Sequence, residues 1–404
     1  MKFNQWTLGL AALGVVSLAS AAKAEEKMSA VQSALSSTTI SGYVDTSAQW
    51  NPGTGTGNNY YKFGGTDKAD GFNLNVVQLT IAKPLDEGEW AAGYRADLWF
   101  GPDANTLGTT STLANSGSSD FAIRQAYVAL RMPVGNGLDW KMGVFDCPLG
   151  YESLESGNNP NFTRSYGHTL EPQTLTGLQL SYRFSDAISI SGGIADSTGA
   201  TINDRSNPPM AESYKTYFGT IALTAPDSWG FLKGSSLYFG VLNGNSDATA
   251  LNAATTQTSW YVGSTIATPI EGLKVGLAWD VLNSYAGTAY GGDNGHDAWA
   301  AAVYLSYQAT EKLSFHARGE LATAVDSFIY GYDSHENRVA LTENTQIWSL
   351  TGTVQYDLWK NVISRLEVRW DFGDEGQYFS ATENGIHDDR RNSVMLAANV
   401  IYKF

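Results

Sequence analysis

SRLEVRWD, Ser364 to Asp371, decides the fold. With a period of two, Ser364, Leu366, Val368 and Trp370 share one face, and Arg365, Glu367, Arg369 and Asp371 share the other. A dry core tolerates such a row of charges only if every one is paired. A wall with lipid outside and water inside accepts it directly. The same alternation sets Leu273, Val275, Leu277 and Trp279 against Lys274, Gly276, Ala278 and Asp280. It returns where Leu313, Phe315, Ala317 and Leu321 oppose Ser314, His316, Arg318 and Glu320.

Outward from these segments, stretches of about 10 to 14 residues alternate polar with apolar from Thr38 to the last residue, and their connections alternate short with long. Short connections fall at 84–88, 134–137, 185–187, 226–233, 269–272, 310–312 and 359–361. Long ones fall at about 51–71, 101–119, 150–172, 199–213, 245–256, 285–297, 327–342 and 373–391. The pattern predicts an all-β transmembrane antiparallel barrel of about sixteen strands, with short periplasmic turns and long outer loops. A closed barrel pairs every backbone group and leaves no edge in lipid. About eight strands leave an interior filled with side chains, whereas about sixteen leave an aqueous channel. Aromatics gather at both strand ends, as interfacial girdles require: Trp90, Trp140, Trp229, Trp359, Tyr402 and Phe404 toward the short turns, and Trp50, Phe100, Phe121, Trp260, Trp299, Trp348 and Trp370 toward the long loops.

The first residues read as an address. Lys2, the apolar run Leu8 to Ala19 and the small-x-small site Ala22-Lys23-Ala24 predict a cleaved secretory signal over 1–24, too short to span a membrane as a helix. Residues 25–37 then form a periplasmic stub and 38–404 the barrel. The address, the alternation and the aromatic girdles together predict export to a bacterial outer membrane and contact with its lipids. A formal charge of −15 argues against nucleic acid, whose binding needs basic patches. Cys147 is the only cysteine, which excludes an intramolecular disulfide and reads as a small buried or lipid-facing side chain.

The run from Phe121 to Gly177 carries Gln125-Ala126-Tyr127-Val128, Gly143-Val144-Phe145, Pro148-Leu149-Gly150-Tyr151-Glu152, Asn161-Phe162-Thr163-Arg164-Ser165-Tyr166, Pro172 and Thr176-Gly177. With the opening Ser41-Gly42-Tyr43-Val44-Asp45, it resembles the OmpL-like family of outer-membrane β-barrel porins (porin-2 type). Thr163 departs from the family, which more often has Ser before the Arg-Ser pair. The resemblance implies a passive pore for small hydrophilic solutes and ions. The final strand, with Val400, Tyr402 and Phe404 on one face, resembles the C-terminal signal read by the barrel-assembly machinery. A homotrimer is expected by analogy with general porins.

Within this frame, GYESLESGNNPNFTRSYGHTLEP, Gly150 to Pro172, is the third outer loop. Loops this long without strand or helix patterning are usually functional or disordered. It either folds inward and narrows the barrel or covers its rim. Folded inward, it supplies the constriction with Glu152, Glu155, Arg164, His168 and Glu171. Neighbouring strands supply inward basic residues, Arg95, Arg124, Lys141 and Arg183, and Arg124-x-Ala126-Tyr127 resembles the basic wall of general porins. A pore selects by diameter and by the charges on its narrowest ring, so an acidic loop facing a basic wall sets a transverse field. Arg164 equally suits an anchor for the loop itself.

Chemistry is not expected. The five histidines are scattered, and none shows the two-histidine spacing of metal helices. Ser314 and His316 share an inward face, which disfavours a lipid-facing hydrolase site. Asp293-Asn294-Gly295-His296-Asp297 lacks the ligand spacing of a calcium loop. No cofactor or metal is predicted. The other readings are a solute-specific channel, for instance for sugars, with Tyr43 and Tyr304 as a stacking track, and a structural or adhesive barrel.

Overall fold

The computed structural model describes residues 37–52, 61–64, 68–86, 88–109, 119–205, 214–245, 256–285, 295–323, 330–332, 338–340, 346–373, 379, 382–383, 386–387 and 391–404. The expected signal segment 1–24 and nearly all of the expected stub 25–37 lie outside the described residues.

Long alternating segments become strands, and each strand pairs antiparallel with its neighbours in sequence. In chain order they are β1 (Thr39–Trp50), β2 (Gly71–Lys83), β3 (Ala91–Phe100), β4 (Phe121–Met132), β5 (Leu138–Asp146), β6 (Thr174–Arg183) and β7 (Ile188–Ala195). There follow β8 (Thr216–Thr224), β9 (Ser236–Asn245), β10 (Thr256–Ala267), β11 (Leu273–Tyr285), β12 (Gly295–Gln308) and β13 (Leu313–Thr323). The short strands β14 (Tyr330–Tyr332) and β15 (Arg338–Ala340) form a hairpin inside one long connection. Then come β16 (Gln346–Trp359) and β17 (Val362–Gly373), a second small hairpin of β18 (Thr382–Glu383) and β19 (Ile386–His387), and β20 (Asn392–Lys403). Strands β1 to β13, β16, β17 and β20 close into one ring, in which β20 pairs back onto β1. The barrel therefore has sixteen strands, as the connection count predicts.

Burial runs inside out. On β17, Leu366, Val368 and Trp370 are exposed, while Arg365, Glu367, Arg369 and Asp371 are buried. On β11, Leu277 and Trp279 are exposed, and Ala278 and Asp280 are buried. The exposed apolar residues of the long strands together form a surface built for lipid. The tryptophans at both strand ends, including Trp50, Trp90, Trp229, Trp348 and Trp359, are exposed as a girdle requires.

One feature departs from the expected water-filled interior. The inward charges of β13 and β17 are buried because the segment between β5 and β6 is hydrogen-bonded to them. Two short helices lie in the long connections, α1 (Pro102–Leu107) after β3 and α2 (Tyr166–Leu170) before β6. The inward positions of β12 include Ala298, Ala300 and Ala302, and the first two make room for Tyr166 and Leu170 of α2, which pack there with Leu282 and Ile347. Ala104 and Leu107 of α1 pack with Trp99 and Ala122.

Candidate pore constriction

The third loop leaves the wall at a backbone position suited to glycine. The Cys147 N–H still donates to the Gln173 carbonyl at 2.8 Å, extending the β5–β6 ladder. Gly150 then turns at φ +120°, and the Glu171 carboxylate occupies the space a Cβ would need, 2.2 Å from it. Tyr151 stacks on Tyr304 of β12 with centroids 4.3 Å apart. A one-turn helix at Ser156–Asn158 is closed by Asn159, whose side chain accepts from the Ser153 N–H and donates to its carbonyl, both at 2.7 Å. Ser165 caps α2 by accepting from the His168 N–H at 3.0 Å.

From this frame the acidic side chains reach different parts of the ring. Glu155 accepts from Arg124 of β4 at 2.6 Å and from Gln78 of β2 at 3.1 Å, and Arg95 of β3 lies 3.5 Å away. Burial pushes the Glu155 carboxyl up, but Arg124, Gln78 and Arg95 together outweigh it and hold the group below the usual carboxylate range. Glu152 does not meet Arg124. It accepts from Arg318 of β13 at 2.9 Å, from the Tyr304 hydroxyl at 3.1 Å and from the Ser165 N–H at 2.8 Å. Farther along, the Phe162 and Thr163 N–H groups donate to Glu367 of β17 at 2.6 and 2.9 Å. Asn161 donates to Thr353 of β16 at 2.7 Å, and Lys403 of β20 reaches the Gly157 carbonyl at 3.3 Å. On α2, the Tyr166 N–H donates to Glu320 and its hydroxyl to Asp371, both at 2.7 Å.

The remaining predicted residues fall into three groups. Arg164 donates to the loop's own Leu154 carbonyl at 2.6 Å and lies over the Phe63 ring, and it forms no ion pair among the described residues. His168 and Glu171 sit together, with Nδ1 3.2 Å from Oε2, and Glu171 is hydrogen-bonded to Asp280 of β11. Burial, then Asp280 and Glu152, push the Glu171 carboxyl well above its ordinary value. Burial, then Arg164, Lys62 and Arg318, hold the His168 imidazole well below its own. On the wall, Arg124 also pairs with Asp146 and lies over Trp99, Arg95 pairs with Asp97 at 2.8 Å, and Lys141 lies over Tyr127 and Phe145. Arg183 stands apart, at the short-turn rim, where it pairs with Asp186 at 2.7 Å. Tyr402 on β20 and Phe404 just past its end are exposed, and the Phe404 N–H donates to the Gly42 carbonyl at 2.9 Å.

Sequence reasoning left out half of this arrangement. Arg318, Glu320, Arg365, Glu367, Arg369 and Asp371 hold the loop, and their inward placement was readable, but which loop atoms they meet was not. Tyr43 and Tyr304 make no stacking track, because they are 5% and 1% exposed. Ser314 donates to Gln308 at 3.0 Å while His316 bonds Ser306, so they form no Ser–His pair. Among the described residues no group of His, Cys, Asp and Glu is placed to hold a metal, and Asp293 and Asn294 of the 293–297 cluster lie outside them. Beside the loop, a cavity of about 300 Å³ is lined by Asp146, Leu149, Glu171 and Tyr238, and one of about 360 Å³ by Arg95, Tyr127 and Lys141.

Sixteen closed strands with apolar residues outward, charges inward and a long third connection define an outer-membrane porin barrel. Within that class, the chain belongs to the family described as "Putative beta-barrel porin-2, OmpL-like", which it matches over residues 37–404. The family and the fold are those of non-enzymatic channels. The anion-selective porin from Comamonas acidovorans is similar in fold, with a TM-score of 0.59, 11% identity, and coverage of 91% of this chain and 99% of that one. The outer membrane channel DcaP of Acinetobacter baumannii gives 0.57, 13%, 91% and 97% in the same order. OmpT of Vibrio cholerae gives 0.54, 9%, 91% and 97%, and one solved form of OmpT is a trimer. A comparison with curated proteins finds no sequence match.

Proposed function

We propose that this barrel is a passive pore for small hydrophilic solutes and ions, narrowed by its third loop. The observation that carries this is the loop's attachment at two separated parts of the ring, Glu155 to Arg124 on β4 and Glu152 to Arg318 on β13. Attachment at both places supports a loop that lies within the lumen rather than over the rim, with a solute passing between it and the remaining wall. There it meets Glu155 facing Arg95 and Arg124, with Lys141 nearby, and these charges with the local diameter set selectivity. Residues 1–24 act as the export signal, and the Val400, Tyr402 and Phe404 face is what the assembly machinery reads. The working form is a homotrimer in the outer membrane, as in one solved form of OmpT.

Reconstitution of the purified protein into planar bilayers tests the pore. Stepwise, ohmic openings are expected, with larger steps after residues 153–163 are replaced by a short Gly-Ser linker. A reconstituted barrel that passes no current would overturn the proposal. Cross-linking in detergent and in membranes tests the trimer.

A further inference from the structure

On the short-turn side of the third loop lies a cavity of about 530 Å³, inside the range of roughly 300–1,000 Å³ typical of small-molecule sites. Its wall is a checkerboard of tyrosine and glycine. Across β9 to β12, Tyr238 pairs with Gly263, Tyr261 with Gly240, and Tyr304 with Gly276. The glycines let rings lie along the wall. The Tyr261 hydroxyl lies 1.8 Å from where a Gly263 Cβ would stand, and the Tyr151 hydroxyl 2.0 Å from that of Gly276. Tyr151, Tyr238 and Tyr261 line the cavity, the first two half-buried and the third buried, whereas Tyr304 is shut in behind them.

Between the rings the lining is hydroxyl and amide. Ser264, Thr265 and Ser306 stand beside Gln308 and Gln355, groups that both donate and accept. The charged side chains are Lys274 and Arg365, and among the described residues no carboxylate lines the cavity. Among the described residues the Arg365 guanidinium donates to neutral acceptors, Gln355 Oε1 at 3.0 Å and the Ser156 and Asn159 carbonyls at 3.0 and 2.7 Å. His316 bonds Ser306 through Nδ1, and its Nε2 has no hydrogen-bond partner among the described residues.

We propose that this chamber is a binding subsite for a small polyhydroxylated anion of the sugar-acid class. Hydroxyls and amides match a polyol, ring faces match its C–H surface, and two cations without a lining acid favour one carboxylate. Neither a bare carboxylate nor a neutral sugar uses all three features. The inference rests on the pore reading for the solute's route, and not for its binding.

Titration calorimetry of the detergent-solubilised protein with D-glucuronate, D-glucose and acetate tests it without requiring conduction. Glucuronate is expected to bind saturably with at least about tenfold lower half-saturation than either other probe. Lys274→Gln, which alters an exposed side chain, is expected to weaken glucuronate about fivefold, as loss of one partly screened charge contact would, with no matching loss for glucose. Equal binding of acetate and glucuronate, or no saturable binding, overturns the subsite. A barrel that binds glucuronate but passes no current keeps the chamber and sinks the pore, and the reverse result does the opposite.

Discussion

The Glu152 carboxylate lies 2.9 Å from the Arg318 guanidinium, with side chains 1% and 0% exposed. Arg318 also holds Glu320 at 2.7 Å and the Thr163 carbonyl at 2.6 Å, so it joins two acids and the loop backbone. Removing one partner of a buried pair costs about 3–5 kcal/mol, because the other charge stays buried. The ladders between strands do not depend on this contact, so the cost falls on loop docking. Arg318→Leu should leave a heat-modifiable barrel whose loop is cut by protease between 150 and 172 and whose open-channel current is noisier. A protected loop with quiet current would show that the remaining contacts suffice.

Glu155 faces two cations and has a different effect. Neutralising it leaves Arg95 and Arg124 with less opposing charge, so Glu155→Gln should shift permeability toward anions. One partly screened charge at about 4 Å amounts to ~1 kcal/mol, or about a fivefold change in the cation-to-anion ratio. Arg124→Gln should shift it the other way. The zero-current potential under a salt gradient reads both. If neither variant moves it, the pair is not at the narrowest point.

Two groups of the loop make its docking sensitive to pH in opposite directions. Glu171 faces Asp280 from β11, Glu152 and His168 from its own loop, Tyr261 from β10 and Lys62 from the first loop. Its docked carboxyl is raised, so its contribution is full below about 4.3, the ordinary value, and fades as pH rises through the raised one. His168 is lowered, with Arg164, Lys62 and Arg318 around it, so its contribution is full above about 6.5 and is lost as pH falls. Glu171→Gln should therefore reduce the loss of docking on raising pH, and His168→Gln the loss on lowering it. Protease protection of the loop across pH 4 to 9 separates the two, and identical profiles in both variants would remove these residues as the source.

The ring was legible because period-two alternation survives in each long strand. Arg365, Glu367, Arg369 and Asp371 show their inward side without any knowledge of their partners. The short connections were equally legible, down to Lys360-Asn361, where Asn361 takes φ +71° between β16 and β17. The loop's partners were not. Glu152 and Arg318 are 166 residues apart, and any inward cation satisfies the same local pattern. A motif at Arg124 drew both loop acids to one wall, but only Glu155 reaches it. Nor did the five-residue helix α2 announce itself, because Tyr166–Leu170 includes a glycine and owes its place to Ala298 and Ala300 across the lumen.

The seam between the first and last strands carries the final prediction. The Gly42 N–H donates to the Phe404 carbonyl at 3.0 Å and the Phe404 N–H donates back at 2.9 Å. A Cβ on Gly42 would stand 2.1 Å from the Gln78 carbonyl oxygen and 2.7 Å from the Phe404 ring. The ring can rotate away, but the Gln78 carbonyl belongs to β2 and cannot move without disturbing the β1–β2 ladder. Overpacking of this kind costs about 1–3 kcal/mol. Gly42→Ala should therefore lower the yield of heat-modifiable barrel on refolding into lipid vesicles, and adding Phe404→Ala should not rescue it. Phe404→Ala alone separates two roles of the terminal ring. A deficit in purified lipid means that the ring contributes to closure itself. A deficit confined to cells means that the assembly machinery reads it. Normal yields in both settings would dismiss the Val400, Tyr402 and Phe404 face as a signal.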